Sequence, residues 1–236
     1  MVKATKQAHT STSTGLKIER FFTSEGQHPF NDIEWETRTA EIKDFKTDEV
    51  SFRQEDLKFP KSWSQRATDI VSSKYFRGHL GSPKRENSVQ QMIGRIVNTL
   101  TSWGEQKGYF ASKQDSQTFN HELSYLLVHQ MAAFNSPVQF NVGVKEDPQC
   151  SACFINSVED HMASIMKLAK TEAHIFKGGS GSGVNLSQIR SSQEPLAVGG
   201  FASGPVSFMR GYDSFAGAIK SGGATRRAAK MVILNA

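Results

Sequence analysis

The sequence predicts an α/β protein in which a helical N-terminal region precedes alternating strands and helices. Two observations give this class. Between residues 61 and 135, apolar side chains recur at helical spacing in three capped segments. After Asn135, short apolar runs alternate with helical stripes, the order expected of a parallel sheet covered by helices. A third observation bears on function. Eleven of the 19 glycines lie between Gly178 and Gly223, where they allow close backbone approach to a ligand late in the chain.

Residues 1–15 are rich in Ser, Thr and Lys and read as a disordered tail. Residues 16–60 mix short alternating runs, Ile33–Trp35 and Val50–Phe52, with turn residues. They read as a lightly structured arm ending at Pro60. Residues 61–135 form the helical N-terminal domain. Its first helix takes Ser62 or Ser64 as cap, stripes Trp63, Ala67, Ile70, Val71 and Tyr75, and closes at Gly78. The second opens on Ser88-x-x-Gln91, stripes Val89, Met92, Ile93, Ile96, Val97 and Leu100, and ends at Gly104. The third opens near Asp115 or Ser116 and buries Phe119, Leu123, Leu126, Leu127, Met131 and Phe134.

Residues 136–236 carry the α/β pattern. Val138–Val142 alternates like a strand, and Cys153–Ile155 reads as a short buried strand. Ser157-x-x-Asp160 is a capping signal for a helix striped by Met162, Ile165, Met166, Ala169, Ala173 and Phe176. Val184–Leu186 is the next strand. Pro205 marks the first turn of a helix that runs to about Lys220 and stops at Gly222-Gly223. Met231–Leu234 is a fully apolar strand at the C-terminus. A buried parallel strand has neighbours on both sides, so the sequence reads as the N-terminal part of something larger.

Composition narrows the function classes. Of 236 residues, 37% are hydrophobic and 22% charged, which excludes wholesale disorder. No run of about 18 apolar residues is present, so no membrane helix and no membrane partner are expected. The first fifteen residues lack an apolar stretch, so no secretory signal is expected. Two cysteines make no disulfide framework, and a cytoplasmic, reducing location follows as the expectation. The net charge is +5, and residues 201–236 hold five basic side chains against one acidic. Arg226, Arg227 and Lys230 crowd together there, a cluster that suits phosphate or nucleic acid.

Three constellations can carry chemistry. Cys150-Ser151-Ala152-Cys153 is a CxxC. It suits a structural zinc, a dithiol, one functional thiol with a bystander, or two buried cysteines used as small hydrophobes. No second CxxC accompanies it, and apolar Phe154-Ile155 follow, which fits a single thiol on a strand facing a cavity. Gly178–Gly183 can bring backbone N–H groups to an anion or act as a linker. Lys220–Arg227 joins paired glycines to paired arginines, either as a mobile phosphate-meeting loop or as a solvated basic turn.

The motifs in their order are more specific. Asn-Ser-Pro-Val at 135–138, Gln-Cys-Ser-Ala-Cys-Phe-Ile-Asn-Ser-Val-Glu-Asp at 149–160 and Gly-Ser-Gly-Ser-Gly at 179–183 are followed by two further runs. These are Ser-Gly-Pro-Val-Ser-Phe-Met-Arg-Gly at 203–211 and Lys-Ser-Gly-Gly-Ala-Thr-Arg-Arg-Ala-Ala-Lys-Met-Val at 220–232. Together they closely resemble the adenosylcobalamin-dependent (class II) ribonucleotide reductases, from about Gly15 to Asn235.

The resemblance implies a ten-stranded α/β barrel, of which residues 136–236 would be the first part of the catalytic domain, the barrel incomplete in this chain. It implies reduction of ribonucleotides, as diphosphates, to 2′-deoxyribonucleotides for DNA synthesis and repair. The initiator would be a thiyl radical formed with adenosylcobalamin, whose site lies mostly outside this chain. Cys153 would be one of the redox-active pair, its partner cysteine lying outside the chain, with Cys150 the bystander. Ser136, Ala152, Cys153 and Gly181 would contact substrate; Ser136 offers a hydroxyl and Gly181 a bare backbone N–H. Asp160, His161, Met162 and Arg190 would bind a deoxynucleoside triphosphate effector at a homodimer contact. Lys220, Ser221, Gly222, Gly223, Ala224, Thr225, Arg226 and Arg227 would form the specificity loop, with no protein metal ligands. Against the family pattern, Gly179 stands where a bulkier residue is usual and Ala224 where a Lys is; His161 and Gln139 are also unusual. A thioredoxin-type reductant would complete the set of partners, with no nucleic acid among them. The competing expectations are a non-catalytic remnant or split-gene half needing a C-terminal partner polypeptide, and a CxxC thiol-redox or zinc module.

Overall fold

The computed structural model describes residues 15–219 and 229–235. The first strands are β1 (Trp35–Lys43) and β2 (Val50–Pro60), a long antiparallel hairpin pairing Trp35 with Pro60 and Ile42 with Phe52. This corrects the expectation of a lightly structured arm. The hairpin's outer face is charged, with Arg53 bridging Glu41 and Glu55 at 2.6 Å each, so little apolar alternation announces it. Its inner face buries Ala40, Leu57 and Phe59. The register shifts between Arg38 and Ala40, opposite Asp56 at φ 55°, a bulge that further breaks the period-two pattern.

Helix α1 (Gln65–Lys74) is capped by Ser64, whose hydroxyl accepts from the Ala67 N–H. Helix α2 (Val89–Gln106) is capped by Ser88 Oγ, and Gln91 Oε1 reaches back to the Asn87 N–H. Its stripe of Val89, Met92, Ile93 and Val97 packs against Leu57, Phe59, Trp63 and Phe76 to make the main core. Gly104 does not end α2. It lies inside the helix, where the Phe110 ring comes within 2.5 Å of the position a Cβ would take and so requires a glycine.

Helix α3 (Lys113–Val128) starts earlier than the sequence suggests, on the Ser112 cap. Its fully buried residues are Ser116, Thr118, His121, Ser124 and Val128, whereas Met131 lies beyond the helix and is exposed. Residues 138–142 are not a strand but most of a short helix, α4 (Ser136–Asn141). Asn135 caps it through the Val138 N–H and Pro137 starts it, local signals that outweigh a five-residue alternation.

The second lobe is a parallel sheet in the order β3-β4-β5. Its strands are β3 (Cys153–Asn156), β4 (Gly181–Asn185) and β5 (Lys230–Ile233). Helices α5 (Met162–Lys177) and α6 (Gly204–Ala218) cover one face, burying Ile165, Leu168, Val184, Leu186 and Tyr212. The opposite face is open: Ile155 is 95% and Met231 65% exposed. Strand β3 is therefore not buried on both faces, as its apolar run suggested, and among the described residues the sheet is not closed into a barrel. Ser157 does not cap α5; the His161 imidazole does, and Met162 and Met166 of the expected stripe are exposed. Helix α6 ends at Ala218, and the expected stop at Gly222-Gly223 falls outside the described residues.

Candidate active-site face

Parallel pairing puts Cys153 directly beside Gly181, and Ala152 immediately before it. The Gly181 N–H donates to Ala152 O at 2.8 Å. That amide belongs to the sheet ladder, so it is not the free donor the sequence suggested. What Gly181 supplies is the absence of a side chain: a Cβ there would lie 3.1 Å from Ala229 O. Cys153 is exposed on the open face, because β3 alternates and Phe154 and Asn156 take the helix-covered side. Cys150 is half-buried against the Val138 and Val142 cluster, and burial pushes its thiol pKa up. The two cysteines of the CxxC thus occupy different environments.

Ser136 is the first residue of α4. Its Oγ lies 3.2 Å from the Tyr75 hydroxyl, and Tyr75 stacks on Phe140. Asn135 Nδ2 donates to Cys150 O at 3.0 Å, and Asn141 Nδ2 to Gln149 O at 2.8 Å, so α4 is tied to the segment entering β3. Its far end is held by Arg95, which donates to Val142 O at 2.6 Å and Gln139 O at 3.2 Å. Arg95 also pairs with the buried Glu86 carboxylate at 2.7 Å, and the Arg77 N–H donates to that carboxylate at 2.7 Å. The sequence placed Tyr75 only in a helix stripe and singled out neither Glu86 nor Arg95, because the contacts of Tyr75 with Ser136 and of Arg95 with Val142 span 61 and 47 residues.

Asp160, His161, Met162 and Arg190 gather beyond the C-terminal ends of β3 and β4, at the opposite end of the sheet from Cys153 and Gly181. Arg190 Nε donates to Asp160 Oδ2 at 2.6 Å. That bond holds the Asp160 carboxyl below the usual aspartate range. His161 Nδ1 accepts from the Ser164 N–H at 3.1 Å, so its Nε2 bears the proton and donates to Glu159 at 2.9 Å. Met162 is exposed at the start of α5. The expected specificity loop, Lys220–Arg227, lies outside the described residues.

On the helix-covered side, Glu172 of α5 pairs with Lys230 of β5, and the Lys230 ammonium stands 4.1 Å from the Tyr212 ring centroid. Burial, reinforced by the Glu172 charge, pushes the Tyr212 phenol up to about 12. Burial also pulls the Lys230 ammonium below its ordinary range, against the pull of Glu172. This pair was not visible in the sequence.

Residues 36–130 match the family model for class II vitamin B12-dependent ribonucleotide reductase, and residues 151–236 match that for the ribonucleotide reductase barrel domain. The vitamin B12-dependent ribonucleotide reductase of Streptomyces coelicolor is 54% identical over 233 residues, covering 99% of this chain and 24% of that protein. That of Rhodopirellula baltica is 47% identical over 247 residues, covering 92% of this chain and 24% of its own length. A vitamin B12-dependent ribonucleoside-diphosphate reductase of Thermoplasma acidophilum is 43% identical over 102 residues, 43% of this chain and 13% of that protein. The chain therefore spans about a quarter of the length of the full-coverage relatives.

Proposed function

The chain belongs to the class II, vitamin B12-dependent ribonucleotide reductase family, and on that premise we propose that its open sheet face is a portion of the substrate site, with Cys153 as one of the two reducing thiols. One observation supports this above the others: Cys153 alone of the two cysteines stands exposed on the open face, beside Gly181.

The proposed reaction replaces the 2′-hydroxyl of a ribonucleotide by hydrogen. The hydroxyl leaves as water, and Cys153 and a second cysteine outside this chain give up two hydrogens and close a disulfide. A thioredoxin-type dithiol then reduces that disulfide. Ser136, Ala152 and Gly181 line the substrate, with the Ser136 hydroxyl as hydrogen-bond donor. The name of the Thermoplasma relative supports a diphosphate substrate.

Vitamin B12 dependence brings cobalamin to the family, and we read the adenosyl form as the one that starts the radical. Among the described residues the exposed sheet face has no opposing wall, so they do not by themselves form a cobalamin site. Asp160, His161, Met162 and Arg190 form the proposed effector site for a deoxynucleoside triphosphate in a homodimer.

The test is a chimera in which this chain replaces the matching quarter of the Streptomyces coelicolor relative. Cys153→Ser abolishes dithiol-dependent turnover, because an alcohol cannot close the disulfide. Cys150→Ser leaves most of it. The opposite pattern refutes the assignment.

A further inference from the structure

After Lys230, strand β5 reads Met231-Val232-Ile233, apolar on both of its faces. Hydrophobicity registers such a strand poorly, because a one-residue slip exchanges one apolar set for another. The residue that distinguishes the registers is Lys230. In the observed pairing it lies opposite Ser182 and turns toward the helices, where its ammonium meets Glu172 Oε2. The Glu172 side chain is 2% exposed and that of Lys230 8%. The other carboxylate oxygen accepts from Ser182 Oγ at 2.8 Å, and Ser182 Oγ accepts from Asn156 Nδ2 at 2.9 Å. All three strands of the sheet thus meet at one carboxylate of α5.

A slip by one residue would turn the ammonium to the open face and leave a buried carboxylate without its cation, a strongly unfavourable state. Buried polar residues are known to fix register between the helices of coiled coils, and the same penalty applies to a strand. The register matters at the other end of the ladder. Ala229 O accepts the Ser182 N–H at 3.0 Å, and a Cβ at 181 would stand only 3.1 Å from it, a tight contact that glycine avoids. Gly181 is in turn the direct neighbour of Cys153.

We propose that Glu172 and Lys230 are positioning residues that set the β4–β5 register and so hold Ala229 against Gly181, one strand from Cys153. Their bearing on catalysis rests on the reading of Cys153 and Gly181 as substrate-site residues; the register does not.

The test reads register directly. In a chain carrying Cys150→Ser and Cys153→Ser, the substitutions Gly183→Cys and Met231→Cys place two thiols on paired positions of the open face. A side chain at 183 meets only ordinary contact with Phe154 O, at 3.8 Å. Gly183→Cys with Val232→Cys reports the one-residue slip, which would bring residue 232 opposite 183 and turn it to the open face. With Glu172 and Lys230 intact, oxidative cross-linking favours the 183–231 pair by about tenfold or more. With Glu172→Leu and Lys230→Met, that preference falls to about threefold or less while the melting temperature is maintained, since apolar replacement of both partners is tolerated. An unchanged preference overturns the proposal. Should that chain not fold, Glu172→Gln, which keeps the acceptor and drops the charge, is read the same way: a loss of about threefold supports the proposal and no loss overturns it. No arm depends on turnover, so its failure is distinct from failure of the functional reading.

Discussion

Arg190 donates from Nε to Asp160 Oδ2 across 2.6 Å, and that bond joins the segment after β4 to the turn before α5. The partners come from separate loops, so the bond fixes both at the end of the sheet remote from Cys153. Asp160 is thereby engaged with a side chain, and the capping of α5 falls to His161.

The pair has a pH signature. The Asp160 carboxyl is depressed chiefly by its hydrogen bond from Arg190, so its contribution is fully present above the unfolded value of about 3.9 and is lost as pH falls through the lower folded value. Both groups are partly exposed, which keeps the effect small. At pH 7, Arg190→Ala lowers the melting temperature by about 1–2 °C, and at pH 2 the difference disappears. Melting curves at the two pH values check this. A gap that persists at pH 2 assigns the Arg190 contribution to packing.

Alkylation separates the two cysteines. Cys153 is exposed, whereas the Cys150 thiol packs against Val138 and Val142 and is held protonated to higher pH by burial. Iodoacetamide at pH 8, followed by peptide mass spectrometry, modifies Cys153 about tenfold faster or more. Raising the pH further increases the Cys150 rate. Equal rates at pH 8 mean that the apolar packing around Cys150 opens readily.

Arg95→Leu removes the cation from Glu86 and the donors from Val142 O and Gln139 O. Breaking one side of a buried pair costs about 3–5 kcal/mol. Glu86→Gln costs less, because the amide oxygen still accepts from Arg95 and the Arg77 N–H. Urea unfolding followed by tryptophan fluorescence measures both. A loss of only about 1 kcal/mol for Arg95→Leu would mean that Arg77 alone satisfies the carboxylate.

Legibility followed the range of the signal. Helix α2 was readable because its cap and its stripe lie within one segment, from Ser88 to Val97. That the strands are parallel is readable because Cys153–Ile155, Val184–Leu186 and Met231–Leu234 are short apolar runs separated by helical stripes. Helix α4 is masked in the sequence because Val138–Val142 alternates like a strand, although Asn135 and Pro137 give a stronger local instruction. The hairpin escaped because its pattern is written in Glu41, Arg53 and Glu55 rather than in apolar side chains, and is interrupted at Asp56. At the candidate site, sequence motifs pointed to Cys153 and Gly181. The exposure of Cys153, the engagement of the Gly181 amide and the ion pair of Glu172 all depend on distant segments meeting.

The two lobes differ in how far each segment must travel to find its partner. Strand β1 meets β2 across one tight turn, and α2 packs on α3 across a short connection. Cys153 must wait for Gly181, and Ser182 for Lys230, with a whole helix intervening each time. Chain-closure entropy therefore favours early formation of the N-terminal lobe, while the sheet assembles last. During synthesis the helical lobe can be structured before the ribosome has made β5, so α4 and its anchored Asn135 stand ready as the platform on which the first strand of the sheet is laid.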